Sequence, residues 1–247
     1  MQNNPNYHNW NQMQASAADS ATYTRTFMAQ VFGWMSAALV ITAVTSYLFA
    51  FVPSLTEMIF TYYEGDISGY TVAGWIALFA PIAFVFMIVA GLKRLPFPLL
   101  IAAFLVYSAL TGVTLSVIFF RFEMNSIGVT FFIAAGMFGI MAVMGWITKA
   151  DLSGFGRILM MGAMGIAIAM FVNFFLRSPA LYYIISCVGV AVFTGLTAYD
   201  VQKLKEIGAG QTDSDSAART SILGALTLYM DFINLFLFLL RLLGNRK

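Results

Sequence analysis

Six stretches of this chain carry no charged side chain: residues 26–56, 67–92, 95–120, 124–148, 158–176 and 178–199. A seventh, 220–240, is interrupted by Asp231 alone. Crossing a hydrocarbon layer of ~30 Å takes about 20 apolar residues in helical form. Each stretch meets or approaches that length. A bilayer admits only helices or closed barrels, because every backbone polar group must be satisfied internally. Strands of period 2 are not expected anywhere. The reading is therefore an all-α membrane protein, a bundle of seven transmembrane helices at about 28–52, 72–91, 98–119, 127–147, 158–175, 181–199 and 221–243. Residues 1–26 are rich in Asn, Gln, Ser and Ala and read as a polar disordered tail. Residues 27–247 form the transmembrane domain, with no leader cleavage pattern before the first helix.

Composition excludes the soluble alternatives. Hydrophobic residues make up 60% and charged residues 10%, against roughly 45–50% and about 25% in a soluble domain. With 13 Lys+Arg and 11 Asp+Glu the net charge is +2, so no basic field points to nucleic acid. The Lys and Arg positions set an expected orientation. With the N-terminus cytoplasmic, inner loops hold Lys93, Arg94, Lys149, Arg157, Lys203, Lys205 and Arg219, while the first outer loop holds Glu57, Glu64 and Asp66. Arg241, Arg246 and Lys247 run against this pattern. Either they are outvoted, or the seventh helix does not cross fully.

Several chemistries are unsupported. The one histidine, His8, lies in the tail, so no histidine metal site or catalytic triad can form in the bundle. A single Cys187 allows neither an intrachain disulfide nor a thiolate cluster. No phosphate-cradling glycine motif occurs, and no bound cofactor is expected. Gly136 with Gly139, Gly162 with Gly165, and Gly195 with Ala198 stand one turn apart and read as places of close helix approach.

Asp231 has no such simple explanation. It falls within the last span, where an aspartate costs about 2.5–3.5 kcal/mol on insertion scales. Thr227, Asp231 and Asn234 follow i, i+4, i+7 spacing and share one helix face. This stripe is either a structural hydrogen-bond knot or a functional site. Asp200, in Thr197-Ala198-Tyr199-Asp200, is expected at the cytoplasmic end of the sixth helix, with Thr197 extending its polar face. Arg94 is the natural cation for either acid.

These pieces match a known pattern. Asp231-Phe232-Ile233-Asn234-Leu235-Phe236, followed by Leu239-Leu240-Arg241, resembles the last helix of the Bax inhibitor-1 family. Tyr199-Asp200-Val201-Gln202-Lys203 resembles the end of that family's sixth helix, segment 108–115 its third, and Phe171-Val172-Asn173-Phe174-Phe175 its fifth. The resemblance runs over about residues 28–243. It implies a seven-helix bundle with the last helix central, a bacterial inner-membrane location, and a pH-sensitive calcium leak with Ca²⁺ and protons as its ligands. It also implies that Asp200 and Asp231 are a proton-sharing pair forming a weak calcium site, with Arg94 as a latch and Thr197, Thr227, Asn234 and Asn173 as supporting polar groups.

Elementary electrostatics agrees with such a pair. Two carboxylates in low dielectric do not both ionise cheaply, so they share a proton. Two other classes remain open from the residues. Paired aspartates on the last two helices also describe intramembrane aspartyl proteases, but Leu228-Tyr229-Met230 stands where those enzymes carry Gly-x-Gly. A non-transporting membrane scaffold would use the same pair structurally. The expected reading is a channel and not an enzyme.

Overall fold

The computed structural model describes residues 5–63, 66–92, 94–211 and 213–247, with side chains from Ala21 onward except those of 63, 66 and 67. Lys93, Glu64 and the side chains of His8 and Asp66, used above to read the topology, lie outside the described residues. The elements are α1 (Pro5–Phe51), α2 (Pro53–Ile59), β1 (Phe60–Tyr63), β2 (Asp66–Tyr70), α3 (Val72–Gly91), α4 (Phe97–Leu115), α5 (Ile118–Arg121), α6 (Met124–Ile147), α7 (Ser153–Leu176), α8 (Pro179–Ala209) and α9 (Ser214–Leu243). Among the described residues, seven helices are long and apolar enough to cross a membrane: α1 from Ala21, α3, α4 with α5, α6, α7, α8 and α9. The protein is a multi-pass helical membrane bundle. We call the end holding loops 92–96, 148–152 and 210–213 proximal, and the opposite end distal.

Three expectations change. The distal segment between the first two spans is not free of strands: β1 and β2 pair antiparallel as a hairpin. Outside the hydrocarbon, water satisfies the hairpin's open edges, and the β-prone Thr61, Tyr62 and Tyr70 favour it. Second, α8 continues to Ala209, so Asp200 stands nine residues inside the helix rather than at its end. Buried Val201, Leu204 and Gly208 carry the apolar spacing beyond the first charge. Third, the boundary drawn at residue 26 falls within α1, and Thr24 is already buried.

The seventh helix does cross. After Leu243 the chain docks on the distal loop, with the Glu123 amide donating to Asn245 O at 3.1 Å and the Lys247 amide to Arg121 O at 3.1 Å. Helix ends follow local chemistry. The Asp213 carboxylate caps α9 by accepting from the Ser216 amide at 3.0 Å, and Ser178 Oγ caps α8 by accepting from Leu181 N at 3.3 Å, with Pro179 opening that helix.

Burial is uneven. In the most apolar window of each span, 67% of α9 is buried against 11% of α7. α9 packs against α1, α4, α6 and α8. A three-way polar joint fixes part of this packing. Fully buried Tyr229 shares a 2.7 Å hydrogen bond with Thr42, whose hydroxyl lies 2.9 Å from both Ala38 O and Ser108 O. Thr42 has one proton for a carbonyl, so Tyr229 donates to it, and α1, α4 and α9 are joined.

Small residues permit close approach, but mostly not at the pairs expected. Gly136, Gly139 and Gly165 face open space. Gly162 and Gly195 do meet neighbours, Val192 and Leu159 respectively. A tight crossing lies at Gly145 on α6, where a Cβ would collide with the Ala198 carbonyl of α8. Spacing on one helix does not reveal which side meets a partner and which meets lipid.

Candidate functional site: a buried carboxyl pair between the last two helices

Asp231 lies mid-helix in α9, 17 residues after Ser214, and is 5% exposed. Buried Leu228, Tyr229, Phe232 and Leu235 surround it in sequence, so the helix is apolar on nearly every side here. Asp200 on α8 is half-buried. The two carboxyls are close enough to act on one another. Asp231 Oδ2 is shut off from solvent and receives no hydrogen bond from the described residues. As two anions the groups would repel. With one proton between them, that repulsion becomes a hydrogen bond.

The neighbouring helices hold this part of α8 in place. Gly145 admits the Ala198 backbone from one side, and Gly156 admits the Tyr199 ring from another. Thr197 is fully buried and donates to Phe193 O at 2.8 Å. Past Asp200, the Gln202 amide grips the α6–α7 loop, donating from Nε2 to Ala150 O at 2.8 Å and accepting the Leu152 amide at Oε1 at 2.9 Å. Lys205 Nζ donates to Trp146 O at 2.7 Å and lies over that indole. The α8 extension is thereby tied to α6 and the loop after it.

The other expected residues divide. Thr227 and Asn234 share the Asp231 face but hydrogen-bond to their own helix, Thr227 Oγ1 to Leu223 O at 3.1 Å and Asn234 Nδ2 to Met230 O at 2.9 Å. Arg94 is exposed and forms no ion pair among the described residues. The cation acting on Asp200 is Lys203, one turn along α8. The arginine that ties the α3–α4 loop to the last helix is Arg219, which reaches Leu95 O at 2.7 Å and Asp215 Oδ2 at 3.1 Å. Arg94 sits in that loop, and its side chain points away from the interior. Asn173 is not near the pair. Its Oδ1 accepts the Ser178 amide at 3.0 Å, closing the distal α7–α8 turn.

Among the described residues no group of three or more His, Cys, Asp or Glu converges. Calcium prefers six to eight oxygens. An ion at the pair would therefore draw on two carboxylates and complete its shell with hydroxyls, carbonyls and water.

The sequence profile described as Inhibitor of apoptosis-promoting Bax1 matches residues 24–247. The chain belongs to the Bax inhibitor-1 family. Among its Bax inhibitor-1 relatives, inner membrane protein YbhL of Escherichia coli K12 is 46% identical over 225 residues, covering 90% of this chain and 93% of the relative. A protein of Borreliella burgdorferi is 42% identical, covering 90% and 92%, and one of Deinococcus radiodurans 39%, covering 90% and 91%.

Sequence reasoning passed over Gln202, Lys203 and Lys205 as site neighbours, because α8 was ended too early. It also passed over Tyr229 and Thr42. Gln202 had a usable signal: it falls between the apolar positions Val201 and Leu204. Tyr229 had none, since one more aromatic in a Phe-rich chain looks like packing.

Proposed function

We propose that this protein is a pH-sensitive calcium leak channel of the bacterial inner membrane, with its N-terminus cytoplasmic, gated by Asp200 and Asp231 and performing no enzymatic reaction. The observation that supports this is the juxtaposition of two carboxyls in an apolar bundle, with no cation paired to Asp231 among the described residues. Two charges 4 Å apart interact by about 4 kcal/mol at an effective dielectric constant near 20. That approaches the ~5.5 kcal/mol needed to move a two-state equilibrium from 1:99 to 99:1. Loss of the shared proton therefore supplies enough energy to favour a second arrangement of α8 and α9. It also leaves a doubly negative oxygen site, which attracts a hard divalent cation. Thr194, six residues along α8 toward the distal end, has a buried hydroxyl without a partner among the described residues and extends the polar surface a passing ion would use.

The test is calcium flux into liposomes containing the purified protein, measured across pH. Wild type shows a flux that changes with pH. Asp200→Asn and Asp231→Asn each remove that dependence, because an amide cannot share the proton. Unchanged pH profiles in both variants would falsify the gate. A protein that passes no calcium at any pH, yet cleaves a membrane substrate in a manner abolished by both variants, would be a protease instead.

A further inference from the structure

At the distal end, five basic side chains converge on one cavity. Arg121 at the end of α5, Arg177 between α7 and α8, Arg241 in the last turn of α9, and Arg246 with Lys247 in the C-terminal segment line a space of about 690 Å³. No acidic side chain lines it, and none of the five has an ion-pair partner among the described residues. Two of the guanidinium groups approach the same ring: Arg241 lies 5.4 Å and Arg246 5.3 Å from the centre of Tyr182. One aromatic face offsets part of one cation. It does not neutralise two, and arginine does not relieve the repulsion by losing its proton. The cavity therefore carries a net positive charge that attracts an anion.

The cavity does not end at the bundle surface. Arg121, Arg177, Tyr182 and Arg241 also line an adjoining cleft of about 410 Å³, which runs between α7 and α8 to Met170, Phe174 and Ile185. Phe174 is 74% exposed, so the far end of the cleft opens where acyl chains would lie. A basic, partly aromatic cavity at the level of the helix ends, continuous with an apolar cleft facing lipid, matches an amphiphile with an anionic head.

We propose that this cavity binds the phosphate headgroup of an anionic phospholipid, whose acyl chain occupies the α7–α8 cleft. Arginine suits the phosphate because its planar fork donates two parallel hydrogen bonds. The lipid would also cover part of α7, the least buried of the seven spans. This site is separate from the carboxyl pair, and its test does not depend on calcium flux.

The full chain, purified in non-ionic detergent, is titrated with phosphatidylglycerol or phosphatidylcholine, and bound lipid is counted by native mass spectrometry. Phosphatidylglycerol is expected to be retained and phosphatidylcholine lost at the same concentration. The double variant Arg177→Asn with Arg246→Gln weakens phosphatidylglycerol binding about tenfold, from the loss of two cations near the headgroup. Asn suits position 177, whose backbone is left-handed at φ 50°. Both side chains are exposed, so the fold tolerates their loss; Arg246→Gln alone, expected to show a smaller decrease, serves if the double variant does not purify. Arg157→Gln at the proximal end leaves binding unchanged. Equal retention of the two lipids, or wild-type binding by the variants, overturns the proposal. So does displacement of phosphatidylglycerol by low millimolar inorganic phosphate, which would mark the cavity as a site for a soluble anion.

Discussion

The middle and the distal end of the last helix treat unbalanced charge in opposite ways. In the middle, α9 brings Asp231 close to Asp200 in a closed apolar setting, with no cation on the buried partner among the described residues. At its distal end it brings Arg241 beside four more bases in an open cavity, with no acidic side chain among the described residues that line it. The difference lies in what each group can do about it. A carboxyl pair relieves its own repulsion by holding a proton, so it can be sealed from solvent and still respond to pH. A guanidinium keeps its charge at any accessible pH, so a cluster of them must stay open to an anion. On the two proposals above, the closed acids form a switch and the open bases a binding site.

The largest expected effects test the closed side of this contrast. Asp200→Asn and Asp231→Asn abolish the pH dependence of flux, as above. Gly145→Val reaches the same site through packing. A side chain there collides with the Ala198 backbone two residues before Asp200, and overpacking of this kind costs about 1–3 kcal/mol. A lower melting temperature in detergent together with altered flux is expected, while Gly139→Val, facing open space, changes neither. If both glycine variants behave alike, the α6–α8 crossing does not position the pair.

A smaller effect is expected at the Tyr229–Thr42–Ser108 joint. Tyr229→Phe removes one donor from a buried network and costs about 1 kcal/mol, since interhelical hydrogen bonds in membranes are modest. Its melting temperature falls, but the pH profile of flux stays that of wild type. A shifted profile would mean that the joint, and not the acids alone, sets the switch.

The smallest effect concerns the exposed start of α9. Donation from the Ser216 amide, and then from its hydroxyl and the Asp215 amide, holds the Asp213 carboxyl below its ordinary value of 3.8. A lowered folded value means the cap's contribution is complete above that ordinary value and is lost as pH falls through the lower one. The protection factor of the Ser216 amide, its exchange corrected for the intrinsic pH dependence of exchange, is therefore expected to stay constant between pH 8 and 5. A protection factor that falls within that window would assign part of any pH response to the cap.

Much of this was legible beforehand because the membrane imposes a strong rule. Uncharged stretches of sufficient length have to be helices, so the spans from α3 to α7 fall within a few residues of their expected places. α8 was misjudged for a physical reason: a charge was taken to end a span, whereas Asp200 is carried inside by its neighbour on α9 and followed by the apolar spacing of Val201 and Leu204. Asp231 was recognisable as a site residue from one helix alone, since no lipid-facing position tolerates it. Arg94 was assigned from its expected place at the end of the second helix and from the family resemblance, yet Arg219 makes the contacts at that loop.

By itself, the sequence determined that the chain crosses a bilayer seven times, and that one acid lies too deep to be incidental. Both follow from the cost of charge in hydrocarbon, which depends on residue type and position along the chain. Only the tertiary structure decided which partner meets that acid, which glycines face a helix rather than lipid, and that the C-terminal bases which ran against the expected topology gather around Tyr182. Those depend on helix rotation and on contacts between segments far apart in sequence, and a periodic pattern on one helix does not specify its neighbour.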